Sequence, residues 1–201
     1  NPFRIGKSVL KIINLPAVSK IFKFILFLIL CLIIPGLLIM NIAQIKRDST
    51  FYNLFLSTVI GLVSITIMFY ILSLLNLRFF VYVYALGSVL LFIKLHTLKL
   101  SLVKVRFSKF GLLLAVLIIS GTFFQTMPTF KSGLEYQYGM GFWGPNTHDG
   151  IWHLSLINQI KENIPPQNPI FSGEILKNYH YFYDVFVAAA SSLTGISAED
   201  L

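Results

Sequence analysis

The chain has 201 residues, of which 56% are hydrophobic and 12% are charged, and its formal net charge is +8. A soluble domain carries about 25% charged residues. A chain of this length could not enclose so much apolar surface in a water-soluble core, whereas a bilayer can accommodate it. The composition therefore excludes an ordinary soluble domain and predicts an all-α fold, a polytopic integral membrane helical bundle in the cell membrane.

The positive charge is unevenly distributed along the chain. Residues 1–130 contain thirteen Lys and Arg and one acid, Asp48, whereas residues 131–201 contain three Lys and seven acids. The positive-inside rule produces such an asymmetry, because basic loops stay in the cytoplasm while acidic ones tolerate export. We interpret the basic residues as topology signals that contact membrane lipids, and we expect no nucleic-acid partner.

The first predicted element is a basic juxtamembrane segment, 1–23, which is followed by transmembrane helices over 24–127. About four hydrophobic segments make up this region: 24–42, 51–77, 79–93 and 110–127. Pro35-Gly36 predicts a kink in the first of them. The third alternates β-branched and aromatic residues, but an isolated strand in lipid would leave its backbone unpaired, so we predict a helix there.

The charge pattern and the number of crossings disagree about the N-terminus. The loop 94–109 has five basic residues and no acid, which indicates the cytoplasm. Four crossings would then place residues 128 onward outside, and the basic N-terminus with them. Three explanations stay open: a further helix upstream, a re-entrant segment 79–93, or an N-terminus that departs from the rule.

From Pro128 the sequence becomes polar, aromatic and rich in glycine, which predicts an external loop over 128–178. A surface helix near 150–163 is predicted by apolar residues at helical spacing, and Pro165-Pro166 ends it. The apolar segment 179–201 is predicted to start a further membrane helix.

Asp149, at the predicted start of the surface helix, is the candidate catalytic residue. A carboxylate on the outer bilayer surface can act as a general base toward a hydroxyl or an amine. It can also hold a divalent cation against a phosphate leaving group. The structural alternative is that Asp149 only caps the free amides of the helix.

Two pairs of residues share a spacing that places an imidazole and a carboxylate together. Asp149 and His153 are four residues apart, and so are His180 and Asp184. If the two helix starts meet, four ligands converge on a divalent metal, with Mg, Mn and Zn as candidates. Otherwise, hydrogen bonds between His and Asp fix the loop. His148 could belong to either arrangement.

Aromatic residues surround these pairs and predict either an interfacial belt or a platform for a sugar ring or a polyprenyl chain. The candidates for substrate binding are Trp152, Tyr179, Tyr181 and Tyr183. Lys177 is either a partner for a lipid phosphate or a solvated charge.

Two stretches, THDGIWHLSLINQIKENIPP (147–166) and YFYDVFVAAASSLTGIS (181–197), resemble the GT-C class of polytopic membrane glycosyltransferases. This class includes the protein O-mannosyltransferases and the lipid A aminoarabinose transferases. The resemblance covers residues 128–201, and with Asn1 in the first position it suggests the N-terminal fragment of a longer protein.

The resemblance implies that Asp149 is the catalytic acid of the first large external loop. It also implies transfer of a sugar from a polyprenyl-phosphate-linked donor at the outer face of the membrane. The alternative is a non-enzymatic membrane protein, either a transporter or flippase or an assembly subunit of the cell envelope. Segments 24–42, 51–77 and 110–127 contain no ionisable Asp, Glu, Lys, Arg or His, which argues against transport through this portion.

Overall fold

The computed structural model describes residues 15–45, 49–95, 109–130, 132–144, 146–171 and 173–201. Within these ranges the chain forms seven α-helices and two short strands: α1 (Leu15–Phe27), α2 (Ile34–Ile42), α3 (Thr50–Leu74), α4 (Phe80–Lys94), α5 (Lys109–Thr126), β1 (Leu134–Tyr136), β2 (Gly139–Gly141), α6 (Asn146–Glu162) and α7 (Phe182–Thr194). A π-helical turn, Leu28–Ile33, joins α1 to α2. The predominantly helical prediction is confirmed, and segment 79–93 is a helix.

Three helical stretches in the described part of the chain are long and apolar enough to cross a membrane. They are Val18–Ile42, Thr50–Leu74 and Phe110–Thr129, with 25, 25 and 20 residues. A bilayer core of about 30 Å needs about 20 helical residues. Helix α4 is apolar but has only 15 residues. It can span a bilayer core of ordinary thickness only if the residues on either side extend it.

The first long helix is irregular directly before the residue that predicts a kink. Pro35 has no N–H and cannot donate to the carbonyl four residues earlier. The turn before it widens to the π pattern, in which the N–H of Ile34 donates to the carbonyl of Ile29. The irregularity therefore follows from the proline, as is usual for distortions of this kind.

Two glycines let the first long apolar stretch, Val18–Ile42, and α3 approach each other closely. A Cβ on Gly36 would overlap the backbone carbonyl of Ser57, and a Cβ on Gly61 would overlap that of Leu32. Small residues serve this purpose at helix contacts in membranes, where dispersion forces between close backbones replace the hydrophobic effect. The two glycines therefore fix where these helices cross.

Helix α7 is buried between α6 and the apolar helices, and contacts α1, α3 and α6. Its residues Val185, Ala188 and Ala189 are fully buried, as are Leu156 and Ile160 on the facing side of α6. The predicted surface helix thus begins earlier than expected, at Asn146, and has one buried face. It ends at Glu162, three residues before the prolines that predict its end.

The interval 179–201 contains α7 and a short 3-10 turn, Ala198–Asp200. Helix α7 has 13 residues and ends before Gly195, whose φ of 66° suits a residue without a Cβ. Thirteen residues extend about 20 Å, which is shorter than the bilayer core. The membrane helix predicted to start here is therefore observed, over these residues, as a short helix packed on α3 and α6.

Arg78 in the turn between α3 and α4 joins the apolar helices to α6. Its guanidinium donates to the carbonyls of Lys161 and Ile160, the latter over 2.9 Å. The same group lies 5.8 Å from the ring centroid of Phe69. The last carbonyls of a helix have no hydrogen-bond partner within the helix. Arg78 therefore supplies the missing hydrogen bonds to two of these carbonyls and holds the C-terminal end of α6 against the bundle.

Two further contacts bring distant parts of the chain to the same end of the bundle. The Lys20 ammonium lies 2.7 Å from the Asp200 carboxylate, and the Tyr82 hydroxyl donates to the carbonyl of Ser192 over 2.7 Å. We call this end, formed by the start of α1, the 75–79 turn and residues 146–201, the polar end.

A small hairpin between α5 and α6 qualifies the all-α prediction. Strands β1 and β2 are antiparallel, with three residues each and Glu135 opposite Met140. The rings of Tyr136 and Tyr138 stack with centroids 5.4 Å apart.

The apolar side chains of the preceding helical stretch, Phe110–Thr129, are exposed almost throughout.

We expect Gly61→Ala to lower the midpoint of thermal unfolding of the detergent-solubilised protein. The added Cβ must displace the backbone near Leu32, at a cost of about 1–3 kcal/mol. Gly87→Ala in α4 is the matched control, because its Cβ would enter open space and helix propensity favours alanine by up to about 1 kcal/mol. Equal destabilisation by both substitutions would contradict the close approach.

We expect Arg78→Lys to loosen the polar end although it preserves the charge. Lysine lacks the planar fork that reaches two carbonyls, and hydrogen bonds to a charged group contribute about 1.5–3 kcal/mol. Limited proteolysis of residues 163–178 should therefore be faster in the variant. Lys20→Ala breaks a largely exposed ion pair worth at most about 1 kcal/mol, so a greater effect from Lys20→Ala would contradict this role of Arg78.

Candidate functional site

The centre of the polar end is a hydrogen bond between an imidazole and a buried carboxylate. His153 Nδ1 lies 2.7 Å from Asp184 Oδ1, which joins α6 to α7. The Asp184 side chain is fully buried, whereas that of His153 is 34% exposed. The two residues therefore connect the interior of the helix packing to the surface.

Asp184 is held in an environment that disfavours its charge. Burial raises the pKa of the Asp184 carboxyl, against the opposing effects of the hydrogen bond from His153 and of the nearby His180. Its second oxygen, Oδ2, is buried and has no hydrogen-bond partner among the described residues. A buried carboxylate with one unsatisfied oxygen costs free energy.

Aromatic rings enclose the exposed side of this pair. The Tyr179 ring stacks on His180 with centroids 4.9 Å apart, and lies 5.6 Å from Trp152 and 6.4 Å from His153. The indole Nε1 of Trp152 is also buried without a partner within the described ranges. Two buried polar atoms without partners thus occur in one small cluster.

Asp149 lies beside this cluster, in an open groove of about 450 Å³. It is in the first turn of α6 and its side chain is exposed. The groove is lined by Thr147, His148, Asp149, Ile151, Trp152, Ser155, Pro169 and Ile170. Trp152 also contacts Tyr179, so it separates the groove from the His153–Asp184 pair.

Capping does not explain the position of Asp149. The helix begins three residues earlier, at Asn146. Within the described chain the Asp149 carboxylate accepts no hydrogen bond. It is therefore a free carboxylate near the positive end of a helix dipole, where an anion is stabilised.

The structure joins one member of each predicted pair instead of gathering all four residues. His153 bonds Asp184 across two helices, while Asp149 faces the groove with His148. In the ranges that the structure describes, no three His, Cys, Asp or Glu side chains are close enough to hold a metal ion. A divalent metal in this site stays a prediction.

The predicted substrate-binding residues are divided among three surroundings. Trp152 and Tyr179 enclose the His153–Asp184 pair. Tyr181 faces α3, where its ring lies 6.4 Å from that of Tyr70, and burial, with Tyr70 as a further cause, raises the pKa of Tyr181 to about 12. Tyr183 is 69% exposed and Lys177 is exposed; neither lines the groove.

Two positions outside the predicted set of site residues organise the site. Arg78 lies between the hydrophobic segments 51–77 and 79–93, and it anchors α6. Lys161 donates from α6 to Ser191 on α7 over 3.0 Å. A lone arginine between two apolar segments was the available signal for the first, whereas the partner of Lys161 depends on tertiary packing.

The arrangement offers an exposed carboxylate, an accessible imidazole and apolar ring faces within two turns of one helix. Such a set can accept a proton from a bound hydroxyl and can stack against a sugar ring. Comparison with family models, with curated proteins and with solved structures gave no match for this chain. The chemical argument therefore rests on the residues themselves.

We expect the stability of the protein to fall as pH rises because of Asp184. Its folded-state pKa is raised, so its contribution is fully present below the unfolded value of about 4 and is lost as pH rises through the folded value. Asp184→Asn removes this titration and keeps an oxygen that can accept from His153. Its thermal midpoint should therefore vary less with pH than that of the wild type.

The comparison with Asp200→Asn supplies a control of opposite sign. The hydrogen bond from Lys20 lowers the pKa of Asp200, so that contribution is lost as pH falls through the lowered value. Thermal unfolding followed from well below pH 4 up to about pH 7 would show both trends, the one from Asp200 below about pH 4 and the one from Asp184 above it. Identical pH dependence in the wild type and in Asp184→Asn would contradict the buried-carboxyl interpretation.

Proposed function

We propose that this chain is part of a membrane glycosyltransferase of the GT-C type, which transfers a sugar from a polyprenyl-phosphate-linked donor at the outer face of the cell membrane. The observation that carries this proposal is the exposed carboxylate of Asp149 in the groove at the polar end. A reacting carboxylate must be accessible, and Asp149 is exposed and has no hydrogen-bond partner among the described residues.

The chain is proposed to cross the membrane several times with the polar end outside. The basic loop 94–109 follows the other end of α4, and the positive-inside rule assigns such a loop to the cytoplasm. Because Lys20 contacts Asp200, the start of α1 is proposed to lie outside as well. In this arrangement the basic N-terminal segment departs from the charge rule.

The proposed reaction is a substitution at the anomeric carbon of the sugar. The acceptor oxygen forms the new bond to this carbon, the bond to the donor phosphate breaks, and the phosphate leaves with the electron pair. The acceptor proton goes to a base. Asp149 serves either as that base or as the acid that holds a divalent cation at the phosphate.

Groups around Asp149 suit a sugar and its lipid carrier. Trp152 lines the groove and offers a ring face there. Pro169 and Ile170 provide further apolar surface in the groove. A ring face is a common surface for carbohydrate, because it contacts the C–H groups of the sugar.

Asp149 is carried on a rigid element, which a reacting group requires. The opposite face of α6 is buried through Leu156 and Ile160, and Arg78 satisfies its C-terminus. The exposed apolar side chains of the neighbouring helices support a position of the groove beside the lipid phase, where a polyprenyl carrier would reside.

We expect Asp149→Asn to abolish sugar transfer by the full-length protein, because the neutral amide cannot take up the acceptor's proton and holds a divalent cation less strongly than a carboxylate does. Loss of a general base lowers turnover by about 10²–10⁴-fold. The assay follows transfer of a radiolabelled sugar from a set of polyprenyl-phosphate donors in isolated membranes.

Glu162→Gln is the matched control for this substitution. Glu162 is an exposed acid at the other end of the same helix, so its loss changes the net charge equally without affecting the groove. Unchanged turnover in Asp149→Asn, or equal losses in the two variants, would contradict the proposed function.

A further inference from the structure

A second groove lies between α1 and α4, which both run away from the polar end, and we call it the α1–α4 groove. Its volume is about 430 Å³, within the range of about 300–1,000 Å³ that is usual for ligand sites. The residues that line it recur every three or four positions along α1 with its π-helical turn, and along α4. One face of each helix therefore forms a wall, and the end of α7 borders the groove at the polar end.

The lining of the α1–α4 groove is polar at one end and apolar over the rest of its length. Lys23, Tyr82 and Thr194 lie at the polar end. The walls then continue with apolar side chains to Cys31 and Val89, eight residues beyond the lysine and seven beyond the tyrosine. These helical lengths correspond to about 10–12 Å, close to the hydrocarbon thickness of one bilayer leaflet, about 15 Å. The groove therefore has the polarity profile of a lipid molecule.

The charge of Lys23 is not neutralised within the groove. Lys23 is the only charged side chain among the described residues that line it. The hydroxyls of Tyr82 and Thr194 already donate to carbonyls of α7. Lys20, one turn earlier, forms an ion pair with Asp200, whereas within the described chain Lys23 forms none. An anion at this end of the groove would therefore meet a cation without a competing carboxylate.

We propose that the α1–α4 groove binds one anionic phospholipid. Its phosphate contacts the Lys23 ammonium, and one of its acyl chains lies between the two helices as far as Cys31, while the other chain stays in the bilayer. A lysine near the membrane surface attracts anionic lipid, and the apolar walls replace the lipid chains that would otherwise surround this acyl chain. Leu86, which lines the groove, is 62% exposed, so the groove is open to the surrounding lipid.

The position of the groove distinguishes this lipid from the proposed sugar donor. Lys161 near the C-terminus of α6 donates to Ser191 near the C-terminus of α7, and Thr194 at that end of α7 lines the groove. Asp149 is at the opposite end of α6, about 18 Å from Lys161 along the helix. A phosphate held at Lys23 is therefore well beyond hydrogen-bond reach of Asp149. The bound phospholipid does not react, and its site is independent of sugar transfer.

Cys31 at the inner end of the groove reports whether a lipid is present. It is the single cysteine among these 201 residues. The full-length protein in a neutral detergent is treated with N-ethylmaleimide, and alkylation is followed by mass spectrometry of the peptide that contains Cys31. Phosphatidylglycerol at about ten times its Kd leaves about one tenth of the protein free, so we expect alkylation to become about tenfold slower. Native mass spectrometry counts the lipids that stay bound, and we expect one.

Lys23→Met tests the contact with the phosphate, because it removes the charge and keeps a long apolar side chain. It should raise the phosphatidylglycerol concentration that gives half protection by about fivefold. Lys94→Met is the matched control, since it removes the same charge from an exposed position at the opposite end of α4. No shift in Lys23→Met, or equal shifts in the two variants, would overturn the proposal.

Ala85→Leu tests the path of the acyl chain, because Ala85 lines the groove between its two ends. The larger side chain displaces about two methylene groups of the lipid and should weaken retention in native mass spectrometry by about tenfold. Ala115→Leu makes the same change at an exposed position of α5, a helix that does not contribute to this groove. Retention of the lipid at the wild-type level by Ala85→Leu would contradict the assigned site.

Three other probes decide which molecule occupies the groove. Phosphatidylcholine, whose phosphate carries a compensating cation, should protect Cys31 less than phosphatidylglycerol does, and inorganic phosphate should not protect it. Equal protection by either probe would overturn the proposal. Protection by a polyprenyl phosphate at a lower concentration than phosphatidylglycerol would identify the sugar carrier as the occupant and would also overturn it. Each of these results leaves the outcome for Asp149→Asn, and with it the proposed function, unaffected.

Discussion

The burial of α7 against α3 and α6 is the constraint on which the rest of the structure depends. Small side chains such as Ala188 and Ala189 let three helices meet around it. Full burial of Val185, and of Leu156 on the facing helix, contributes about 1.5–3 kcal/mol for each side chain. This gain offsets the cost of enclosing Asp184, and it holds His153 beside a carboxylate that water does not reach.

The sequence could predict those parts of the fold that depend on local chemistry. Long uncharged segments became helices because lipid leaves no other way to pair the backbone. Pro35 predicts where the first long helix is distorted, because a residue without an N–H cannot donate the helical hydrogen bond in any surroundings. Pro165-Pro166 marked the end of α6 for a similar reason. The early start of α6 at Asn146 lacks such a strong local marker, and the β1–β2 hairpin is too short to show the alternation of a strand.

The candidate site was predictable in its residues but not in its pairing. Helical spacing associates Asp149 with His153 and His180 with Asp184, because it describes one helix at a time. The observed partner of His153 is on another helix, and the crossing of α6 and α7 is a tertiary property. The same limit explains why Tyr181 and Tyr183 were grouped with Tyr179, although α7 turns the first toward Tyr70 and leaves the second exposed.

The ion pair between Lys20 and Asp200 bears on how many times the proposed membrane protein crosses the bilayer. If the chain spans a bilayer, two side chains 2.7 Å apart lie on the same side of it, and the chain between them crosses an even number of times. Three stretches are long and apolar enough to cross, which is an odd number. An even count therefore requires either that α4 also crosses, in a thinned bilayer or with its ends extended by flanking residues, or that one of the three long stretches does not cross.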